Sequence, residues 1–154
     1  MKKLYLIILV LICVNLNLNA KTINESKERE SVQKAYYSWC ESIAKAKGDP
    51  AVVTKFYAPD AILLPTLSHK ILQNKYNELD KYFETLTAHK NIKCTPEKLI
   101  TRMYKKTAIN TGLYKFSYMD NGKKMTVPSR FTFIYRNKDG KWLIIKHHSS
   151  IMPK

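Results

Sequence analysis

The sequence predicts an α+β fold in which helices cover one face of an antiparallel sheet. Three observations predict it. Apolar residues recur at helical spacing through the first half. From about residue 97 the pattern changes to strands, and two glycine-containing turns then tie the last three strands into a meander.

The chain begins "MKKLYLIILVLICVNLNLNA": two lysines, an apolar run from Leu4 to Val14, and a small residue at Ala20. This pattern is read as a secretory signal peptide over 1–20, and the protein as exported, periplasmic or secreted. The apolar run is too short to span a bilayer comfortably, so no integral membrane segment is expected after cleavage. Residues 21–27 are polar and expected to be flexible, and 28–153 suits one domain with one core.

Val32, Ala35, Tyr36, Trp39, Ile43 and Ala46 place a long amphipathic helix over residues 25–47, stopped by "GDP" at 48–50. "AVVTKFY" reads as a short second helix, and "APDAILLPT" as a brief apolar strand stopped by Pro65. Asn74 is placed to cap a third helix whose Tyr76, Leu79, Tyr82, Phe83 and Leu86 share one side. Strands follow in "EKLITRMYKK", "AINTGLYKFSYM", "KMTVPSRFTFIYR" and "KWLIIKHHSSIM".

Two turns set the expected register. Asn121-Gly122 is the preferred type I′ hairpin dipeptide, pairing Asp120 with Lys123, Tyr118 with Met125 and Phe116 with Val127. "NKDGK" is read as a three-residue loop with a glycine bulge, pairing Asn137 with Lys141, Phe133 with Ile145, Phe131 with His147 and Arg130 with His148. A two-residue Asp-Gly turn is the alternative. The bulged reading segregates the side chains: Tyr114, Phe116, Tyr118, Val127, Phe131, Phe133, Tyr135, Leu143, Ile145, His147 and Ser149 face the helices. Arg130, Ile134, Trp142, Ile144 and His148 then fall on a mixed outer face, which reads as a subunit interface.

The chain carries 27 basic against 12 acidic residues. Without Lys2 and Lys3 of the leader, 25 against 12 leaves +13. The lysines are scattered rather than gathered on one helix, so they read as a solvated surface and not as a nucleic-acid groove. Cys40 and Cys94 remain after processing, and the spacing leaves open whether they pair.

His147 and His148 adjoin on a strand, so they point to opposite faces and cannot chelate one metal; no metal site is expected. His147, at the end of an apolar strand face, is either an acid/base or ligand anchor, or a core histidine bonded to Ser149, Tyr57 or a backbone carbonyl. Arg130 either binds a ligand carboxylate or sits with His148 at an oligomer face, where two cations need an anion between them. Asp60 reads first as a Pro-Asp turn residue and second as a partner for a histidine. Ser149 and Ser150 lack a nucleophile elbow, and neither GxGxxG nor GxxxxGK[ST] occurs, so no cofactor is expected.

"ILLPTLS" at 62–68, "YF" at 82–83, "GLYKF" at 112–116 and "SRFTFIYRNKDGKWLIIKHHSSIMP" at 129–153 resemble bacterial relatives of the calcium/calmodulin-dependent protein kinase II association domain. These are grouped with SnoaL-like proteins (SgcJ/EcaC type) in the nuclear transport factor 2-like superfamily. The resemblance implies a cone: a long N-terminal helix and two shorter ones on a curved antiparallel sheet, enclosing a pocket. It implies homodimers or larger assemblies through the outer face, and a pocket drawing on Tyr57, Thr66, Ser68, Tyr114, Phe133, His147 and Ser149. Where many relatives carry an arginine after "PTLS", this chain has "HKILQN", and it has no kinase domain. Superfamily members include isomerases, dehydratases, cyclases and binding modules. The expected function is therefore an exported, homo-oligomeric domain that binds a small anionic or aromatic ligand in an apolar pocket. The alternatives are a cofactor-independent isomerase or dehydratase using His147 as acid/base, and a structural oligomerisation module.

Overall fold

In the computed structural model, which describes residues 2–66 and 68–153 with side chains from residue 22 onward, the apolar stripe of the first helix is what organises the core. Helix α1 runs Lys2–Ala46. The expected leader, 1–20, lies outside the residues whose side chains are described. Residues 22–27, expected as a flexible lead-in, are helical and exposed, because no glycine or proline interrupts them. Val32, Tyr36, Trp39, Cys40, Ile43 and Ala46 are buried, and the helix stops where Lys47 and Gly48 take positive φ of 49° and 92°. Asp49 Oδ1 then accepts the Ala51 N–H at 3.0 Å at the start of α2, Ala51–Thr54.

Strand β1 is Tyr57–Leu64 and β2 is Leu72–Gln73; a 3₁₀ turn at Asn74–Tyr76 leads into α3, Glu78–Thr87. Asn74 does not cap α3. Its Nδ2 donates to the Ala58 carbonyl at 2.9 Å, Asn77 turns the chain at φ 57°, and Tyr76 is exposed rather than in the apolar stripe. Leu79 and Phe83 of α3 are buried as the spacing requires.

The remaining strands are β3 Lys90–Tyr104, β4 Thr107–Asp120, β5 Lys123–Lys138 and β6 Lys141–Ile151. The sheet order is β2-β1-β6-β5-β4-β3. All neighbours are antiparallel except β1 and β6, which run parallel, with Leu63 beside His147. β3 starts seven residues before the expected point. As an edge strand it tolerates Pro96, and a bulge at Glu97 lets its backbone press on Gly112. A Cβ at Gly112 would lie 1.9 Å from the Lys98 carbonyl oxygen, so only glycine fits there.

The β4/β5 register is the expected one: Asp120 pairs with Lys123, Tyr118 with Met125, Phe116 with Val127. The β5/β6 register is not. Asp139 and Gly140 both take positive φ, 52° and 81°, forming a two-residue turn that pairs Lys138 with Lys141. The extra residue sits inside the strand, at Ile145, between the pairs Tyr135/Ile144 and Ile134/Lys146. Before this bulge Trp142 and Ile144 point into the core, 6% and 0% exposed; after it the parity flips and His147 and Ser149 point inward. Trp142 and Ile144 are therefore core residues and do not belong to an outer interface. Phe133 lies opposite His147, Phe131 opposite Ser149, and Arg130 opposite Ser150 instead of His148.

Packing between α1 and the sheet is largely aromatic. Tyr36 stacks on Phe131 with centroids 4.9 Å apart, and Trp39 meets Phe133 edge-on at 4.9 Å. Cys40 and Cys94 form a disulfide that ties α1 to β3 across 54 residues.

Candidate ligand pocket

Two layers of polar groups occupy the inner side of the sheet near the ends of β1 and β6. The deeper layer centres on His147, which is 4% exposed. β6 brings in His147 and Ser149, β1 brings in Tyr57, and β4 brings in Tyr114. Tyr57 Oη lies 2.8 Å from His147 Nδ1, and Tyr114 Oη lies 3.4 Å from His147 Nε2. Tyr114 donates its hydroxyl proton to Ser149 Oγ at 2.6 Å, and Ser149 Oγ is hydrogen-bonded in turn to Thr66 Oγ1. The imidazole is walled by Phe133 at 4.0 Å and by Trp39 edge-on at 5.4 Å.

Burial decides the charge state of this layer. It holds His147 well below the ordinary imidazole range, with the neighbouring His148 adding a smaller push the same way. Burial likewise raises the Tyr57 and Tyr114 phenols far above their usual range, although the Ser149 bond partly offsets it for Tyr114. The cluster is thus a set of neutral donors and acceptors.

The outer layer is a cavity of about 360 Å³ between α3 and the far halves of β4 and β5. Its walls are Tyr82, Leu86, Phe116, Tyr118 and Val127, with Thr66, Thr85 and His89 supplying polar edges. Thr66 belongs to both layers. Burial pushes the Tyr82 phenol up to about 12, so it stays protonated at any working pH. Among the described residues, the lining holds no lysine, arginine or carboxylate.

Of the seven pocket residues expected from the resemblance, the structure gathers Tyr57, Thr66, Tyr114, Phe133, His147 and Ser149 into one cluster. Thr66 alone of these lines the cavity. Ser68 does not join them; its Oγ accepts the Lys70 N–H at 3.1 Å. Asp60 pairs with Arg136 at 2.8 Å, not with His147, and the guanidinium bond lowers its carboxyl below the usual range. On the opposite face of the sheet, Arg130 Nε donates to Ser150 Oγ at 2.9 Å, and Arg130, His148 and Ser150 share a shallow polar hollow with Thr111 and Thr132. Among the described residues no group of three or more His, Cys, Asp or Glu side chains could hold a metal ion, and no helix is long and apolar enough to cross a membrane.

Sequence reasoning puts only Thr66 of the eight lining residues in a pocket and misses the other seven, among them His89. Its Nδ1 lies 3.1 Å from the Leu86 carbonyl and 3.2 Å from the Thr85 carbonyl, and its ring meets Tyr118 edge-on at 4.6 Å. The available signal was its place just past the end of α3, where a histidine can donate to the last carbonyls.

No curated protein matches this sequence. Among solved structures, a Xanthomonas campestris protein described as a calcium/calmodulin dependent protein kinase II association domain is 38% identical, covering 80% of this chain and 86% of its own at a TM-score of 0.72. The Chlamydomonas reinhardtii kinase II hub homology domain is 18% identical, covering 80% and 98%, with a TM-score of 0.64. A nuclear transport factor 2-like superfamily protein from Salmonella enterica is 14% identical, covering 84% and 94%, at 0.72; these last two show the shared fold. The family described as calcium/calmodulin dependent protein kinase II association domain matches residues 28–153. With that match over most of its length and the 38% identical bacterial relative, the chain belongs to the calcium/calmodulin dependent protein kinase II association domain family, on a nuclear transport factor 2-like fold.

Proposed function

We propose that this protein is an exported, self-associating domain that binds a small, mainly apolar ligand in the cavity between α3 and the sheet. The observation that carries this reading is the cavity itself: about 360 Å³, aromatic-walled, and with no lysine, arginine or carboxylate among the described residues that line it. That lining favours the aromatic ligand over the anionic one. His147 supports the site and does not react in it, since it is 4% exposed and both ring nitrogens face tyrosine hydroxyls.

Export is supported by the leader pattern and by the Cys40–Cys94 disulfide, a bond that persists in oxidising compartments. Self-association is supported by family membership and by the outer sheet face, where Ile109 and Ile134 pair side by side, both half-buried. Light scattering that returns a monomer at micromolar concentration removes that part of the reading.

The cavity reading is tested with p-cresol. Titration should give saturable NMR shifts at Tyr82, Phe116, Tyr118 and Val127, and Val127→Phe should abolish them by filling the space. Shifts that never saturate, or that scatter over the surface, overturn it.

A further inference from the structure

The outer face of the sheet carries more positive charge than its own carboxylates meet. Arg136 is paired with Asp60 at 2.8 Å and Lys115 with Glu97 at 3.0 Å. Arg130 lies along β5 between the rows of these pairs, and it has no ion-pair partner among the described residues. Its Nε donates to Ser150 Oγ at 2.9 Å. That bond fixes the guanidinium and leaves the N–H groups of both Nη atoms uncommitted among the described residues.

The register sets a second basic group beside it. Arg130 pairs with Ser150 and Thr132 with His148, so Arg130 and His148 are diagonal neighbours on adjoining strands with side chains on one face. Both are exposed. With Thr111, Thr132 and Ser150 they line a hollow of about 260 Å³ that has no carboxylate among its described lining residues. The Thr111 hydroxyl is given to the Phe131 carbonyl at 3.0 Å, so Thr111 builds the wall, while Thr132 and Ser150 add hydroxyls to the lining. Long side chains reach across such a diagonal, and two cationic groups that face one hollow repel unless an anion lies between them.

We propose that this hollow is a site for a small dianionic oxyanion of the sulfate or phosphate kind, held by the Arg130 guanidinium and the His148 imidazole. The planar fork of a guanidinium meets two oxygens of such an ion at once, and the oxygens left over face the second strand. A monocarboxylate has no oxygen left over once the fork has taken it. The hollow lies on the opposite side of the sheet from the cavity beside α3, so the site goes beyond the cavity reading and is independent of it.

The test is an NMR titration of the full chain with sodium sulfate against sodium chloride at constant ionic strength, read at the Arg130 Nε–H and at the backbone amides of Thr132, His148 and Ser150. Sulfate should give saturable shifts at these residues, and sodium acetate should bind there at least tenfold more weakly. Arg130→Gln should weaken sulfate at least tenfold, and Arg130→Lys, which keeps the charge but loses the fork, should weaken it less. Arg136→Gln, outside the hollow, should leave it unchanged. Shifts that never saturate, that spread over the lysine-rich surface, or that persist in Arg130→Gln overturn the proposal, and so does acetate binding as tightly as sulfate. If Arg130→Gln instead dissociates an oligomer on which sulfate has no effect, the guanidinium meets a carboxylate of a second copy, and the proposal fails. Each of these outcomes leaves the cavity reading where it stands.

Discussion

Tyr57 and His147, ninety positions apart, meet at 2.8 Å through a phenol oxygen and an imidazole nitrogen, sealed inside the core. The contact exists because β1 runs parallel to β6 and brings the two strands together beneath Trp39 and Phe133. A histidine so placed is held neutral, and that has a consequence for stability.

His147 is depressed well below 6.5 in the folded state, whereas an unfolded histidine titrates near that value. As pH falls through about 6.5 the unfolded chain binds a proton that the folded chain refuses. Stability contributed by neutral His147 is therefore full above pH 7 and lost as pH falls, at up to about 1.4 kcal/mol per pH unit. His147→Gln should be less stable at pH 7.5 for want of its hydrogen bonds, but should lose about 1 kcal/mol less than wild type between pH 7.5 and 5.5. Asp60, lowered from 3.8 by Arg136, acts in a separate window below that value. Urea melts at the two pH values check this; equal losses in both proteins would show that His147 is protonated in the fold.

How far the sequence could be read depended on whether the deciding interaction was local. Asn121-Gly122 predicts its own hairpin, since both residues tolerate positive φ and a type I′ turn needs that at both. Asp139-Gly140 makes the same kind of turn, but the bulge that restores His147 to the core sits five residues further on, at Ile145. No turn dipeptide encodes a bulge inside a strand, so the sequence pattern puts Trp142 and Ile144 on the wrong face and His147 and Ser149 on the right one. The inner-face residues Phe116, Tyr118 and Val127 follow from strand alternation. His89 does not, because its role depends on where α3 ends and on a cavity that only the assembled fold creates.

The disulfide between Cys40 and Cys94 crosses 54 residues and holds α1 against the edge strand β3. Closing a loop of that length removes enough unfolded-state freedom to stabilise the fold by about 4 kcal/mol in the chain-entropy picture. Cys40→Ala/Cys94→Ala should therefore melt well below the oxidised wild type, and dithiothreitol should lower the wild-type Tm by a similar amount without affecting the variant. A wild-type Tm indifferent to reductant would show that the bond contributes nothing to stability.

Tyr36 presents the opposite case, a polar group that the core does not use. Its ring is fully buried, stacked on Phe131 and edge-on to Phe133 at 5.9 Å, and its hydroxyl has no hydrogen-bond partner among the described residues. Burial drives its phenol well above the usual range, so the group stays a neutral, unsatisfied hydroxyl. Leaving such a group without a partner costs about 1–3 kcal/mol. Tyr36→Phe keeps both ring contacts and deletes only the oxygen, so it should be neutral or raise stability by about 1 kcal/mol. A guanidinium melt decides the matter. A loss greater than 1 kcal/mol would mean that the hydroxyl is satisfied by a buried water, and that a polar space runs between α1 and the sheet beside Phe131.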